Sequence, residues 1–285
     1  MLNLKEVDYL QNITKDRFYN DYFKKQKPVV VKGFTKDWPA YSKWTLDSIK
    51  NIAGDVNVPL YDDRPVNYNE KFNEAHAEMK MADYIDLLKS EPTKYRIFLW
   101  NILKEIPSLK DDYRIPDLGV SIMKSLPMLF FGGENSHTFM HYDIDLANIF
   151  HFHFDGKKQA ILYNQEQTKY MYKVPNSLIT REDIDFDNPD LEKWPALKKA
   201  EGYIANLEHG DMLYMPEGFW HHMKYITPGM SMSLRAIARN PVNFSKAIYN
   251  VAIMRSVDNV MRMTIGEKWL SWKNSYAIER TKAYE

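Results

Sequence analysis

His141-Tyr142-Asp143 is followed, 78 residues after Asp143, by His221 in the run Pro216-Glu217-Gly218-Phe219-Trp220-His221-His222. Two imidazoles and one carboxylate can hold one face of an iron(II) ion and leave the opposite face open. An open face admits a second small ligand and dioxygen together. Residues two apart in a strand point to the same side, so His141 and Asp143 can aim at one centre. Alone, an H-x-D triplet is a common surface pattern, and a lone histidine is more often packed core than ligand. The combination carries the reading, because the chain has 8 histidines in all. His151-Phe152-His153 is the rival pair, since its two imidazoles also share a strand face.

The elements that must position these residues begin near Pro127. Met128 to Phe131, Ile149 to Phe154, Gln159 to Tyr163, Met212 to Met215 and Met230 to Ile237 read as short strands. Between them lie Gly132-Gly133, Asp155-Gly156, His209-Gly210-Asp211 and Pro216-Glu217-Gly218, which are turn chemistry. Many short strands with glycine turns predict an antiparallel barrel or sandwich. The polar stretch 175–200 reads as a surface insertion.

Ahead of this region, residues 1–27 show helix-like spacing and Pro28 to Gly33 contains a short β-branched strand. Thr45 caps a predicted helix that Gly54 ends, and a second helix is predicted over Met81 to Ser90. After Pro241, apolar residues from Phe244 to Met261 recur at three- and four-residue steps until Gly266. The division expected is 1–125, a mixed region packing on the core; 126–240, the β core; and 241–285, helices.

Composition bounds the rest. Among 285 residues, 45% are apolar and 14% aromatic, enough for a sizeable core. The 38 basic and 38 acidic residues cancel, so no basic bias points to nucleic acid, which is expected to be disfavoured as a partner. The chain has no cysteine, which excludes disulfides and thiolate metal sites. Charge interrupts the first eight residues too early for a signal peptide, and no 18-residue apolar run suggests a membrane span. A cytoplasmic protein is expected.

Three segments resemble the cupin-fold, JmjC-type Fe(II)/2-oxoglutarate dioxygenases, in the branch that includes the asparaginyl hydroxylase acting on hypoxia-inducible factor. They are Lys27 to Gly33 with Asp37-Trp38-Pro39; Thr138 to Asp143 running on to Gly156-Lys157-Lys158; and Gly210 to Pro216 continuing to Trp220-His221-His222. The resemblance implies a mainly β fold with flanking helices, a double-stranded β-helix of jelly-roll type. It also implies His141, Asp143 and His221 as iron ligands, with His222 turned outward by strand alternation. Lys158 and Thr138 would hold the distal carboxylate of the cosubstrate, 2-oxoglutarate. Asn148 and Arg235 fall near other cosubstrate positions. Phe98 stands where that hydroxylase has a cosubstrate-contacting tyrosine, and Trp220, Phe150 and Phe152 are candidates for apolar lining.

By the same resemblance the activity is hydroxylation of a protein or peptide side chain, with RNA or a small molecule as other substrates. The C-terminal helices would form a homodimer. A metal cupin of other chemistry using His151 and His153, or a silent binding module, remains the alternative.

Overall fold

A computed structural model describes residues 1–64 and 74–285. Fourteen strands are described: β1 Asn3–Glu6, β2 Asp8–Leu10, β3 Val29–Val31, β4 Asn57–Leu60, β5 Ala77–Lys80, β6 Arg96–Trp100, β7 Ile122–Gly132, β8 His137–His141, β9 Asn148–Asp155, β10 Lys158–Tyr163, β11 Glu201–Leu207, β12 Met212–Met215, β13 Trp220–Tyr225 and β14 Gly229–Ala236. They form a seven-stranded sheet in the order β2-β3-β12-β9-β14-β7-β6 and a five-stranded sheet in the order β1-β11-β10-β13-β8. A separate hairpin pairs β4 with β5.

From β7 to β14 the chain passes repeatedly from one sheet to the other, and nearly every neighbour in the core is antiparallel. This is a double-stranded β-helix of the jelly-roll kind. The predicted fold class holds, built as two facing sheets.

Strand alternation sorts the side chains into three layers. Val30, Ile149, Leu213 and Met215 of the larger sheet meet Ala160, Leu162, Ala205, Leu207 and Met223 of the smaller one in an inner core. Alternate residues of the larger sheet, Phe150, Phe152, Phe154, Met230, Met232 and Leu234, face the other way and pack against the N-terminal helices. On the smaller sheet, the outward Ile161, Tyr163 and Trp220 are covered by Met171, Ile184, Phe186, Trp194 and Leu197. The stretch 175–200 is therefore a cover with a buried apolar face, because without it Trp220 and Tyr163 would meet water.

Local signals were realised where caps were clear. Thr45 accepts a hydrogen bond from the Ser48 amide at 3.1 Å and starts the helix Leu46–Ala53. Helix Met81–Ser90 forms as predicted, and Gly266, at φ 52°, ends the helix Arg255–Ile265 before Glu267–Lys282 begins. Residues 1–27 meet expectation in part: Lys15–Arg17 and Phe18–Phe23 are helical, but the segment before them is not. Asn3–Glu6 and Asp8–Leu10 are strands, lying parallel to β11 and β3. Pairing at two open sheet edges outweighs a weak helical pattern. No helix among the described residues is long and apolar enough to cross a membrane.

Candidate metal and cosubstrate site

β8 and β13 pair with His141 opposite His221. Their rings lie 4.1 Å apart between centroids. Asp143 follows just past the end of β8, and its Oδ1 sits 3.5 Å from His141 Nε2 and 3.8 Å from His221 Nε2. Ligand atoms of the three residues all fall within 4.8 Å of one another, the one such cluster of three metal-ligating side chains among the described residues.

Backbone carbonyls set the tautomers. His141 Nδ1 lies 2.7 Å from the Phe139 carbonyl and His221 Nδ1 lies 3.1 Å from the Phe219 carbonyl. A carbonyl oxygen can only accept, so each Nδ1 carries the proton and each Nε2 presents a lone pair. Burial, then neighbouring His141, pushes His221 down to about 3, so it stays neutral and ready to coordinate.

Burial alone would raise the Asp143 carboxyl, but Arg235 beside it holds it well below the usual carboxylate range. Arg235 Nη2 donates to Asp143 Oδ2 at 2.8 Å, while Nη1 donates to Asp145 at 2.9 Å. One Asp143 oxygen is thereby clamped and the other left toward the imidazoles. Sequence reasoning missed Asp145, which lies past the end of β8, where strand alternation no longer places side chains. Arg235→Met is expected to weaken divalent-metal affinity roughly 10- to 100-fold, the usual cost of losing an outer-shell partner. Calorimetric titration with cobalt(II) checks this; an unchanged affinity would free Arg235 of that role.

Lys158 opens β10 opposite Tyr225 of β13 and is 3% exposed. Its ammonium lies 4.2 Å from the Tyr225 ring centroid and 3.3 Å from His151 Nε2. No ion pair to a carboxylate is found for it among the described residues. Burial pushes this lysine down to about 7. Leu162, four residues on, pairs with His221, so lysine and metal ligands share one strand pair.

Thr138 reaches the same interior by a device hidden in the sequence. Three residues separate it from His141, which in a regular strand sends the two side chains to opposite faces. Here β13 covers the same distance in two residues: His221 pairs with His141 and Met223 with Thr138. The extra β8 residue is a bulge, which restores Thr138 to the face shared with Met223.

Three expectations need correction. Asn148 is buried on the outer face of β9, bonded by Tyr214 Oη at 2.7 Å and near Glu217 and the Ile237 carbonyl. Alternation from the inward His151 and His153 puts it on the far side from the triad. Phe150 and Phe152 share that outer face, and Trp220 lies outside the smaller sheet, edge-on to Tyr142. The interior is lined instead by Leu162, Met223 and Ile149. His151 and His153 do point inward, but Ser233 and Ser231 engage their Nδ1 atoms at 2.8 and 2.9 Å. They belong to no ligand cluster among the described residues, so the rival metal pair gains no support. His222 is turned outward toward Asp187, as alternation predicted.

Two facing sheets with a two-histidine, one-carboxylate cluster between them define a cupin-type metalloenzyme scaffold. The chain belongs to the cupin-like domain family, whose profile matches residues 15–247. It is 29% identical over 240 residues to the tRNA wybutosine-synthesizing protein 5 of Gallus gallus, covering 76% of this chain and 73% of that one. It is 27% identical to lysine-specific demethylase 8 of Danio rerio, covering 80% of this chain and 58% of the relative. Identity to lysine-specific demethylase JMJ30 of Arabidopsis thaliana is also 27%, over 81% of this chain and 55% of the relative. The chain thus spans little more than half of either demethylase. It is a JmjC-type oxygenase enzyme by family.

Proposed function

We propose that the chain is an Fe(II)- and 2-oxoglutarate-dependent hydroxylase of a protein or peptide side chain. The observation that carries this reading is a converged His141–Asp143–His221 donor set with an unneutralised, buried ammonium at Lys158 on the adjoining strand. The residues fit the group: two imidazole nitrogens and one carboxylate oxygen suit iron(II). A buried cation without a counter-ion suits the far carboxylate of a diacid. When bound, iron with 2-oxoglutarate and dioxygen supplies the oxidation of a substrate C–H bond to C–OH, with succinate and carbon dioxide leaving.

The chain's own residues do the rest. His141, His221 and Asp143 would hold the metal, and Arg235 keeps Asp143 anionic and presents one oxygen. Lys158 and Thr138 anchor and orient the diacid. Leu162, Met223 and Ile149 exclude water from the space between the sheets.

A second substrate reading, RNA, is favoured by one finding: a relative covered over 73% of its length is named for tRNA wybutosine synthesis. The zero net charge that argued against nucleic acid is outweighed, since a local basic surface suffices. Succinate release is to be compared with lysine- and asparagine-containing peptides and with total tRNA. Stimulation by tRNA alone, falling steeply with salt, moves the assignment to RNA.

Homodimerisation through the C-terminal helices belongs to the same reading. Val242, Phe244, Ile248, Val251, Val257 and Val260 are each more than 40% exposed along residues 241–265. Such an apolar face on a water-exposed helix marks an interaction surface. Light scattering is expected to give twice the chain mass, and Ile248→Asp with Val260→Asp to give a monomer. A monomeric wild type at micromolar concentration would remove the dimer.

A further inference from the structure

The cosubstrate lysine does not sit alone. Its ammonium lies 3.3 Å from Nε2 of His151, which is 3% exposed. A protonated lysine has donors and no acceptor, so in that form Nε2 accepts and the histidine proton resides on Nδ1. Ser233 Oγ, 2.8 Å from that Nδ1, is placed to receive it. Ser233 is itself 2% exposed on β14 and pairs directly with His151 across the ladder. The Phe130 ring lies 5.8 Å from the imidazole and 5.7 Å from the ammonium, packing both from β7. The imidazole is thus held by a hydrogen bond at one end and spends its lone pair on the lysine at the other.

We propose that His151 is a positioning residue for cosubstrate binding: as a neutral acceptor it orients the Lys158 ammonium and keeps it charged, leaving two N–H donors for the distal carboxylate. The proposal rests on the reading above that Lys158 receives that carboxylate. The residue type matters. An aspartate at this place would neutralise the lysine and repel the incoming diacid. A phenylalanine would leave the buried ammonium without an acceptor. Only a neutral acceptor stabilises the charge without competing for it.

The groups that bear on this pair are few. His153 faces it from the same strand, Lys158 from β10, Tyr225 and His221 from β13, and Arg235 lies beyond Ser233 on β14. The one carboxylate toward the metal end, Asp143, is engaged by Arg235. Nothing acidic in this group substitutes for the His151 lone pair. Burial and the Lys158 charge hold the imidazole well below its ordinary range, which keeps it neutral at physiological pH.

The test is 2-oxoglutarate affinity by calorimetry on the full chain loaded with manganese(II), measured from pH 6 to 9. His151→Phe, His151→Asn and Lys158→Met are compared with wild type, with thermal melting of each as a folding control. His151→Phe is expected to weaken binding roughly 10- to 100-fold, the range for one hydrogen bond to a charged group. Its alkaline loss of affinity should begin at lower pH, while manganese affinity stays unchanged. His151→Asn retains an acceptor and is expected to recover most of the loss. Wild-type affinity and pH profile in His151→Phe would overturn the proposal, as would an asparagine variant no better than phenylalanine. If Lys158→Met binds the diacid as tightly as wild type, the cosubstrate reading itself fails and the role of His151 falls with it.

Discussion

Asp143→Ala and His221→Ala are each expected to lose iron(II) or cobalt(II) binding by more than the roughly 10- to 100-fold that removal of an outer-shell partner costs. Activity should fall to background in both. Two donors remain in either variant, and two donors do not define a face of an octahedron. The alanine at 143 has a further consequence: it leaves Arg235, clamped at 2.8 Å in the wild type, with Asp145 as its remaining carboxylate partner. The Asp143 variant should therefore be less stable to urea than the His221 variant, even though both lose metal. Metal titration of the variants checks the first part and urea denaturation the second. Retention of metal by His221→Ala, with loss in a His151→Ala, His153→Ala double variant, would reverse the ligand assignment.

Lys158→Met is expected to raise the Kd for 2-oxoglutarate at least roughly 30-fold, the lower end of the cost of removing one partner from a buried charge pair. Metal affinity should be unchanged, because the lysine contacts His151, Tyr225 and Phe130 and none of the three ligands. The pH dependence has a definite sign. In the free protein, burial brings the lysine from 10.5 down to about 7. The dianion needs the protonated form, so affinity is full below pH 7 and declines as pH rises through that value. Folding stability runs the other way. Between about pH 7 and 10.5 the unfolded chain binds the extra proton, so this lysine's contribution to stability grows with rising pH. Affinity flat from pH 6 to 9 would show that the ammonium is not the anchor.

Much of the site could be read from residue types and short spacings. His141 and Asp143 are two apart, and two is the strand period, so their shared aim needed no knowledge of the fold. His221 and His222 were separable by the same rule. Thr138 and Asn148 show where the rule stops. Thr138, three residues from His141, reaches the interior only through a bulge, which depends on what the partner strand β13 does. Asn148 lies an odd number of residues from the inward His151 and faces out, although family spacing suggested otherwise. One register step exchanges the two faces of a strand, and a loop of uncertain length cannot fix that step.

The aromatic residues misled for a related reason. Phe150, Phe152 and Trp220 are apolar and flank the site in sequence. Both outer faces of this fold are covered, by the N-terminal helices and by the 171–197 segment, so outward positions are as apolar as inward ones. Composition then no longer distinguishes inside from outside. The Arg235–Asp145 clamp was invisible because it joins residues 90 apart through tertiary packing.

The most direct measurement of the central claim is succinate formed from 2-oxoglutarate by the purified chain, with and without iron(II), in wild type and Asp143→Ala. Iron-dependent succinate in the wild type and none above background in the variant is the result predicted. Succinate that forms equally in both, or in neither while the wild type still binds iron, would contradict it.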